Sequence, residues 1–325
     1  MPEPEPSPVQ PPANPTSTGR SRRVGRLLLG LLTGNAVGAL LCGLVFGLVH
    51  FCPQYGGGVS LPSLLLIPFA IGLVASWVWG PLKLGMGGIL LHSLSCTALG
   101  LVVGAVAFRE GVICLIILSP LLYVGVLAGA VLGEVLFRKS RARVNLCLAP
   151  FLALVILAEH GLRRPHTSVV VDEIRIAAPP AKVWPHVLAF APIPDPPDYW
   201  LFRLGLPYPT ETTHGGDFEG ADRACRFSGG AVFKERVARI DPGRDLVFDI
   251  LEMPPDPELL GHLDAHRGEF ELRDNGDGTT TLVGRTWYSL HVRPAFYFDW
   301  WTRQVFRAVH LRVMRNVKHL AEGTP

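Results

Sequence analysis

Between Arg26 and His160 the sequence has almost no charge, and over the whole 325 residues only 18% are Asp, Glu, Lys or Arg. That scarcity excludes an ordinary globular domain for the first half, because a folded soluble surface carries mixed charges along its whole length. Cysteine is scarce as well. Cys42, Cys52, Cys96, Cys114 and Cys147 lie in or beside apolar runs, and Cys225 stands alone in the more polar second half. No CxxC or Cys/His spacing is present to hold zinc, and one thiol cannot close a disulfide within its own domain. GxSxG, GxGxxG, HExxH and the P-loop are absent, which removes the common hydrolase, dinucleotide, zinc-peptidase and nucleoside-triphosphate signatures. The net charge of +3 is not a nucleic-acid footprint, since much of the basic excess sits at the ends of apolar runs.

What is present divides the chain into four parts. Residues 1–23 are rich in proline and poor in apolar bulk, so they cannot offset the entropy of folding and are expected to form a disordered tail. Residues 24–160 are expected to be a transmembrane helical region, 161–166 a linker and 167–325 a soluble domain with a core of its own. Arg20, Arg22, Arg23 and Arg26 precede an apolar run in the manner of a signal peptide. The run continues to Phe51, however, and further runs follow, which predicts a retained membrane helix.

Five apolar segments can be drawn: Leu27 to Phe51, Leu61 to Trp79, Leu84 to Phe108, Val112 to Phe137 and Val144 to Ala158. The first four reach the roughly 20 residues needed to cross the hydrocarbon core. The fifth is shorter and contains Asn145 and Pro150. With the N-terminus inside, Lys83, Arg138, Lys139, Arg141 and Arg143 join the N-terminal arginines on the cytoplasmic side, leaving Arg109, Arg163 and Arg164 opposite. That asymmetry predicts a cytoplasmic N-terminus in the cytoplasmic membrane. Five spans then put the C-terminal domain outside the cytoplasm, and four keep it inside; five is the expectation.

Glycines at four-residue spacing (Gly30, Gly34 and Gly38; Gly100 and Gly104; Gly125, Gly129 and Gly133) predict close helix–helix approach within one bundle. Polar groups inside the spans are few, with His92 the most notable, and no chain of carboxylates suggests an ion path. The bundle is expected to anchor.

In the second half, Ser168 to Ile176 reads as a strand, and Ala177 to Phe190 as a short helix opened by a proline pair. Strands are predicted at 224–227, 232–240, 246–252, 268–273 and 279–292, the last two joined by the turn Asn275-Gly276-Asp277-Gly278. A long helix closes the chain from Pro294 to Ala321, with an apolar stripe of Trp301, Val305, Val309, Val313, Val317 and Leu320. The expected fold class is therefore a membrane α-helical bundle of four to five spans plus an α+β domain.

The stretch VVVDEIRIAAPPAKVWPHVLAF, the hairpin GEFELRDNGDGTTTLVGRTWYSL and the closing HLRVMRNVKHLAE resemble the START-like (SRPBCC) superfamily, which includes polyketide cyclases and lipid-transport-like proteins. The resemblance covers Thr167 to Ala321. It implies a helix-grip fold, a curved antiparallel sheet around the long helix, and a cavity between them for a lipid or other hydrophobic small molecule. No cofactor is expected. Cavity-lining candidates are Phe227, Phe233, Phe248, Phe270, Trp287 and Tyr288 from strands, with Phe298, Trp301, Val305 and Val309 from the helix; a solid core is the competing reading.

Near the presumed mouth, Asp249, Glu252, His262, His266 and Arg267 are the acid–base candidates. If the run from Gly261 is extended, His262, Asp264 and His266 share one face and offer a two-histidine, one-carboxylate metal set; solvated loop side chains are the alternative. Phe296, Tyr297, Phe298, Trp300 and Trp301 either dip into the bilayer interface or cover the cavity end. Three functions follow as expectations: a membrane-tethered module for a hydrophobic ligand, an enzyme of cyclase or hydrolase type, or a membrane sensor. The partners implied are a lipid or other hydrophobic molecule and the membrane, not nucleic acid.

Overall fold

A computed structural model of the chain describes residues 17–51, 61–107, 111–139, 166–255 and 262–323. Most of the predicted tail, the fifth apolar segment and all but the last residue of the expected linker lie outside the described residues.

Among the described residues, four helices make the first half: α1 (Ser17–Phe51), α2 (Leu61–Trp79), α3 (Met86–Ala107) and α4 (Val112–Lys139). All four are long and apolar enough to cross a membrane. The glycine rows are spent inside this bundle. A Cβ on Gly34 would come 2.7 Å from the Ile71 carbonyl oxygen, and one on Gly129 would come 1.9 Å from that of Phe69. Only a bare backbone permits these approaches, so α2 is gripped between α1 and α4. Trp79 fills the α1–α2 seam and donates from Nε1 to the Leu27 carbonyl at 3.2 Å.

The second half opens with β1 (His166–Ile176), α5 (Pro180–Leu188) and the single turn α6 (Trp200–Arg203). β2 (Pro209–His214), β3 (Asp222–Phe227), β4 (Val232–Asp241), β5 (Asp245–Glu252), β6 (Leu263–Asp274) and β7 (Thr280–Leu290) follow, and α7 (Ala295–Glu322) closes the domain. The seven strands form one antiparallel sheet in the order β1-β7-β6-β5-β4-β3-β2. It curls around α7 in a helix-grip arrangement. Strand β2 and the single turn α6 are elements the sequence reading left unassigned. The strand's weak signal has a cause: it is short, sits at the sheet edge and runs Pro-Thr-Glu-Thr-Thr-His, with little apolar alternation to announce it.

Alternation along β1 and β7 decides what faces the helix. On β7, Gly284, Thr286, Tyr288 and Leu290 are buried, and Trp287 lies on the other face. The C-terminal half of α7 is sealed: Val313, Met314 and Val317 pack with Val183 and Val187 of α5 and with Leu272 and Leu282 of the sheet. Its N-terminal half touches Val170, Tyr288 and Leu290 through Phe298 and Phe306 but leaves a gap toward β3, β4 and β5. There the sheet and helix part, and α6 and α4 close the gap, with Ile113 joining Leu201, Phe202 and Leu206 in one apolar cluster.

Candidate functional site

A cavity of about 210 Å³ occupies that gap. It far exceeds the roughly 10–15 Å³ that admits one water, so the interior is not solid there. Phe227, Phe233, Phe248 and Phe270 line it from the strands, and Phe298, Trp301, Val305 and Val309 line it from α7. Gly268 shapes the floor: a Cβ there would lie 2.3 Å from Phe248 Cζ, so the ring lies across bare backbone. Ile113, Cys114, Ile117 and Leu118, from the first turns of α4, complete the wall. That an apolar helix of the bundle contributes to the cavity was not expected from the sequence.

Trp287 and Tyr288 are not among the lining residues. Trp287 is carried to the opposite face by the period-two alternation of β7. Tyr288 is buried beyond the cavity end, stacked on Phe306, and its hydroxyl donates to Asp299 Oδ1 at 2.6 Å. Burial and that bond push its phenol up to about 12. Asp299 also accepts from Arg303 Nε at 2.6 Å within α7, while the Tyr288 bond ties the start of α7 to β7.

The acid–base candidates scatter. Glu252 pairs with Lys234 Nζ at 2.5 Å, and Arg267 Nε donates to Asp249 Oδ1 at 2.7 Å, both pairs being exposed. The expected metal set does not converge. The β6 register slips between Ala265 and Arg267, so alternation fails at His266, whose Nε2 meets Ser289 Oγ at 2.7 Å. Asp264 Oδ2 is engaged by His291 Nε2 at 2.8 Å, while His262 lies on the cavity wall. Among the described residues no group of three His, Cys, Asp or Glu side chains is placed to hold a metal ion.

Two polar constellations interrupt the apolar wall instead, and the sequence reading named neither. Arg223 of β3 and Glu235 of β4 stand opposite each other in register and form an ion pair, with side chains 3% and 6% exposed. The guanidinium stacks 4.3 Å above the Phe248 ring, and its Nε has no protein partner. Burial pushes the Glu235 carboxyl up against the opposing pull of Arg223. Burial, with Glu235 nearby, pushes the neighbouring Cys225 thiol up to about 12, so it is a thiol rather than a thiolate at neutral pH.

The second constellation joins three elements. His310 of α7 places Nε2 2.8 Å from Thr286 Oγ1 of β7, and Nδ1 2.9 Å from Asp172 Oδ2 of β1. All three residues are buried, and Thr286 and His310 reach the cavity. A signal for this set was present. Asp172 falls among Val170, Ile174 and Ile176 on the buried face of β1, and His310 falls between Phe306 and Val313 on the apolar stripe of α7.

No sequence family matches the chain, and no curated protein matches it either. Among solved structures, truncated norcoclaurine synthase from Thalictrum flavum is similar at 13% identity and TM-score 0.34, covering 49% of this chain and 95% of its own. The Zhui aromatase/cyclase from Streptomyces sp. R1128 is similar at 17% identity and TM-score 0.31, covering 49% and 93%. A Thermobifida fusca protein is similar at 20% identity and TM-score 0.32, covering 47% and 92%.

Proposed function

We propose that this chain is a membrane-anchored helix-grip protein that takes a hydrophobic molecule from the bilayer into the cavity between its sheet and α7. One observation carries the reading: Ile113, Cys114, Ile117 and Leu118 of an apolar helix long enough to span a membrane form part of the cavity wall. A ligand in contact with those side chains is in contact with the surface that faces lipid one or two turns further along. Apolar walls favour an aliphatic or ring-bearing guest, since each buried methylene contributes about 0.8 kcal/mol. The unpartnered Nε of Arg223 favours a guest with one acceptor group, such as a carbonyl or hydroxyl, because an unmet buried donor costs about 1–3 kcal/mol.

The aromatic cluster supports the same placement. Phe298 and Trp301 face the cavity, Tyr297 bonds to α4, and Phe296 and Trp300 stay 80% and 55% exposed beside them. Exposed rings at the junction of a domain and a membrane helix suit the interfacial layer.

The domain meets α4 at its Val112 end, whereas the chain leaves that helix at Lys139. Twenty-eight residues of helix separate the two ends by about 40 Å. The domain is thus read on the face of the membrane opposite Lys139, outside the cytoplasm if the basic residues are inside. The test is native mass spectrometry of the full chain released from lipid nanodiscs. A discrete added mass that is lost in Ile117→Trp supports the reading; a chain that stays empty in lipid of every class tried refutes it.

A further inference from the structure

We propose that Thr286, His310 and Asp172 form an acyl-transfer centre on the cavity wall, acting on a carboxylic ester of a long apolar chain. The inference rests on the cavity reading above and adds chemistry to it.

The order of the three groups is what hydroxyl activation needs. Thr286 and His310 line the cavity, and Asp172 lies behind them. The imidazole touches both partners at ordinary hydrogen-bond distance, 2.8 Å to the hydroxyl and 2.9 Å to the carboxylate. A carboxylate only accepts, so Nδ1 carries the ring proton and Nε2 turns its lone pair toward the threonine hydroxyl. Asp172 also faces Arg307 Nε through its other oxygen at 3.6 Å, which opposes rotation of the carboxylate. Helix packing does not require this set. One turn further on, Val313, Met314 and Val317 fix the same helix to the domain with apolar contacts alone. The three groups satisfy one another by hydrogen bonds, which makes their burial tolerable, and they set a hydroxyl–imidazole pair on the wall of an otherwise apolar void.

The step balances. Thr286 Oγ1 attacks the ester carbonyl carbon as its proton passes to His310 Nε2, and the C–O bond to the alcohol breaks as that proton passes to the departing oxygen. Water then adds to the acyl-threonine, giving its proton to His310, and the acyl C–O bond to Thr286 breaks as the proton returns to Oγ1. One ester and one water become one acid and one alcohol. Thr286 and His310 are the catalytic residues, and Asp172 is a positioning residue that sets the tautomer.

The test uses the full chain in nanodiscs with p-nitrophenyl laurate as the probe. Wild type is expected to release p-nitrophenolate and to show a lauroyl adduct mapped to Thr286. Thr286→Val and His310→Gln should each lower kcat by about a hundredfold or more, and Thr286→Ser should keep most of it. Asp172→Asn should lower kcat with KM unchanged, a split that a merely structural loss does not produce. Native mass spectrometry of each variant with the probe checks that the cavity survives. Intact ester held in wild type without release, or equal release by Thr286→Val, overturns the acyl-transfer centre and leaves the cavity standing. An ester neither held nor cleaved overturns both.

Discussion

The hydroxyl of Tyr297, in the first turn of α7, donates a hydrogen bond to the backbone carbonyl of Ile117 in α4 at 2.6 Å. It ties a helix of the sheet domain directly to a helix of the bundle, at the edge of the cavity both of them line. Tyr297→Phe removes only that bond, so the cost should be about 1 kcal/mol, or roughly fivefold in the docking equilibrium. Disulfide cross-linking between cysteines introduced at Val305 and Ile113 reads it; unchanged cross-linking would show that the bond adds nothing to docking.

Filling the cavity should empty it of ligand without harming the fold. Val309 lines the void from α7, and an indole at that position occupies space that now holds no side chain. Val309→Trp is expected to lower uptake of bilayer-derived ligand about tenfold, equivalent to about 1.4 kcal/mol. Thermal unfolding should change little. Equal uptake with an unchanged melting temperature would argue that the ligand sits elsewhere.

The buried pair of Arg223 and Glu235 should show the asymmetry of such pairs. Arg223→Met leaves a buried carboxyl unpaired and should cost about 3–5 kcal/mol, measured by chemical unfolding. Adding Glu235→Leu to that variant should recover most of the loss. Ligand uptake should stay low in the double variant, because the free Nε of Arg223 is gone as well.

Acid should expose the ladder on the outer face of the sheet. Hydrogen bonds from Arg273, then Arg285, hold the Glu271 carboxyl down from 4.5 to about 2. A folded carboxyl depressed in this way stabilises the protein above its unfolded value, and the contribution drains as pH falls from 4.5 toward 2. Unfolding followed by tryptophan fluorescence should show wild type losing stability across that window. Glu271→Gln should start lower and lose less.

Gly129→Ala should disrupt the bundle out of proportion to one methyl group. The added Cβ would meet the backbone of Phe69, which cannot rotate away as a side chain can. The expected cost is about 1–3 kcal/mol, read as a lower unfolding temperature in detergent. Gly43, where an added Cβ meets nothing within 4 Å, is the control position.

Elements with a strong local signal were legible in the sequence. The four long apolar helices, the Asn275–Gly278 hairpin and α7 follow from length, glycine at positive φ and helical periodicity, and the structure reproduces them within a few residues apart from the α1 start, ten residues ahead of Leu27. Much of the aromatic wall was legible too, since Phe227, Phe233, Phe248 and Phe270 stand in strands and a cavity between sheet and helix draws on them. Trp287 was misplaced because an aromatic next to Tyr288 gives no sign of which residue turns inward until the register with β1 and β6 is known. His266 failed for a related reason, as a one-residue slip in β6 is invisible in composition. The contribution of α4 was out of reach, because nothing local in Ile113 or Ile117 distinguishes a cavity wall from a lipid-facing surface.

Pro120 stands between the two duties of α4. On one side lie Ile113 to Leu118 and the cavity; on the other lie Gly125, Gly129 and Gly133, packed against α2. Proline cannot donate to the Ile116 carbonyl, which takes the Ser119 hydroxyl at 2.8 Å instead, so the backbone ladder is cut at that level. The two stretches of the helix therefore answer to different neighbours: the turns before the proline to the cavity and α7, and the turns after it to the backbone of α2 through bare glycine.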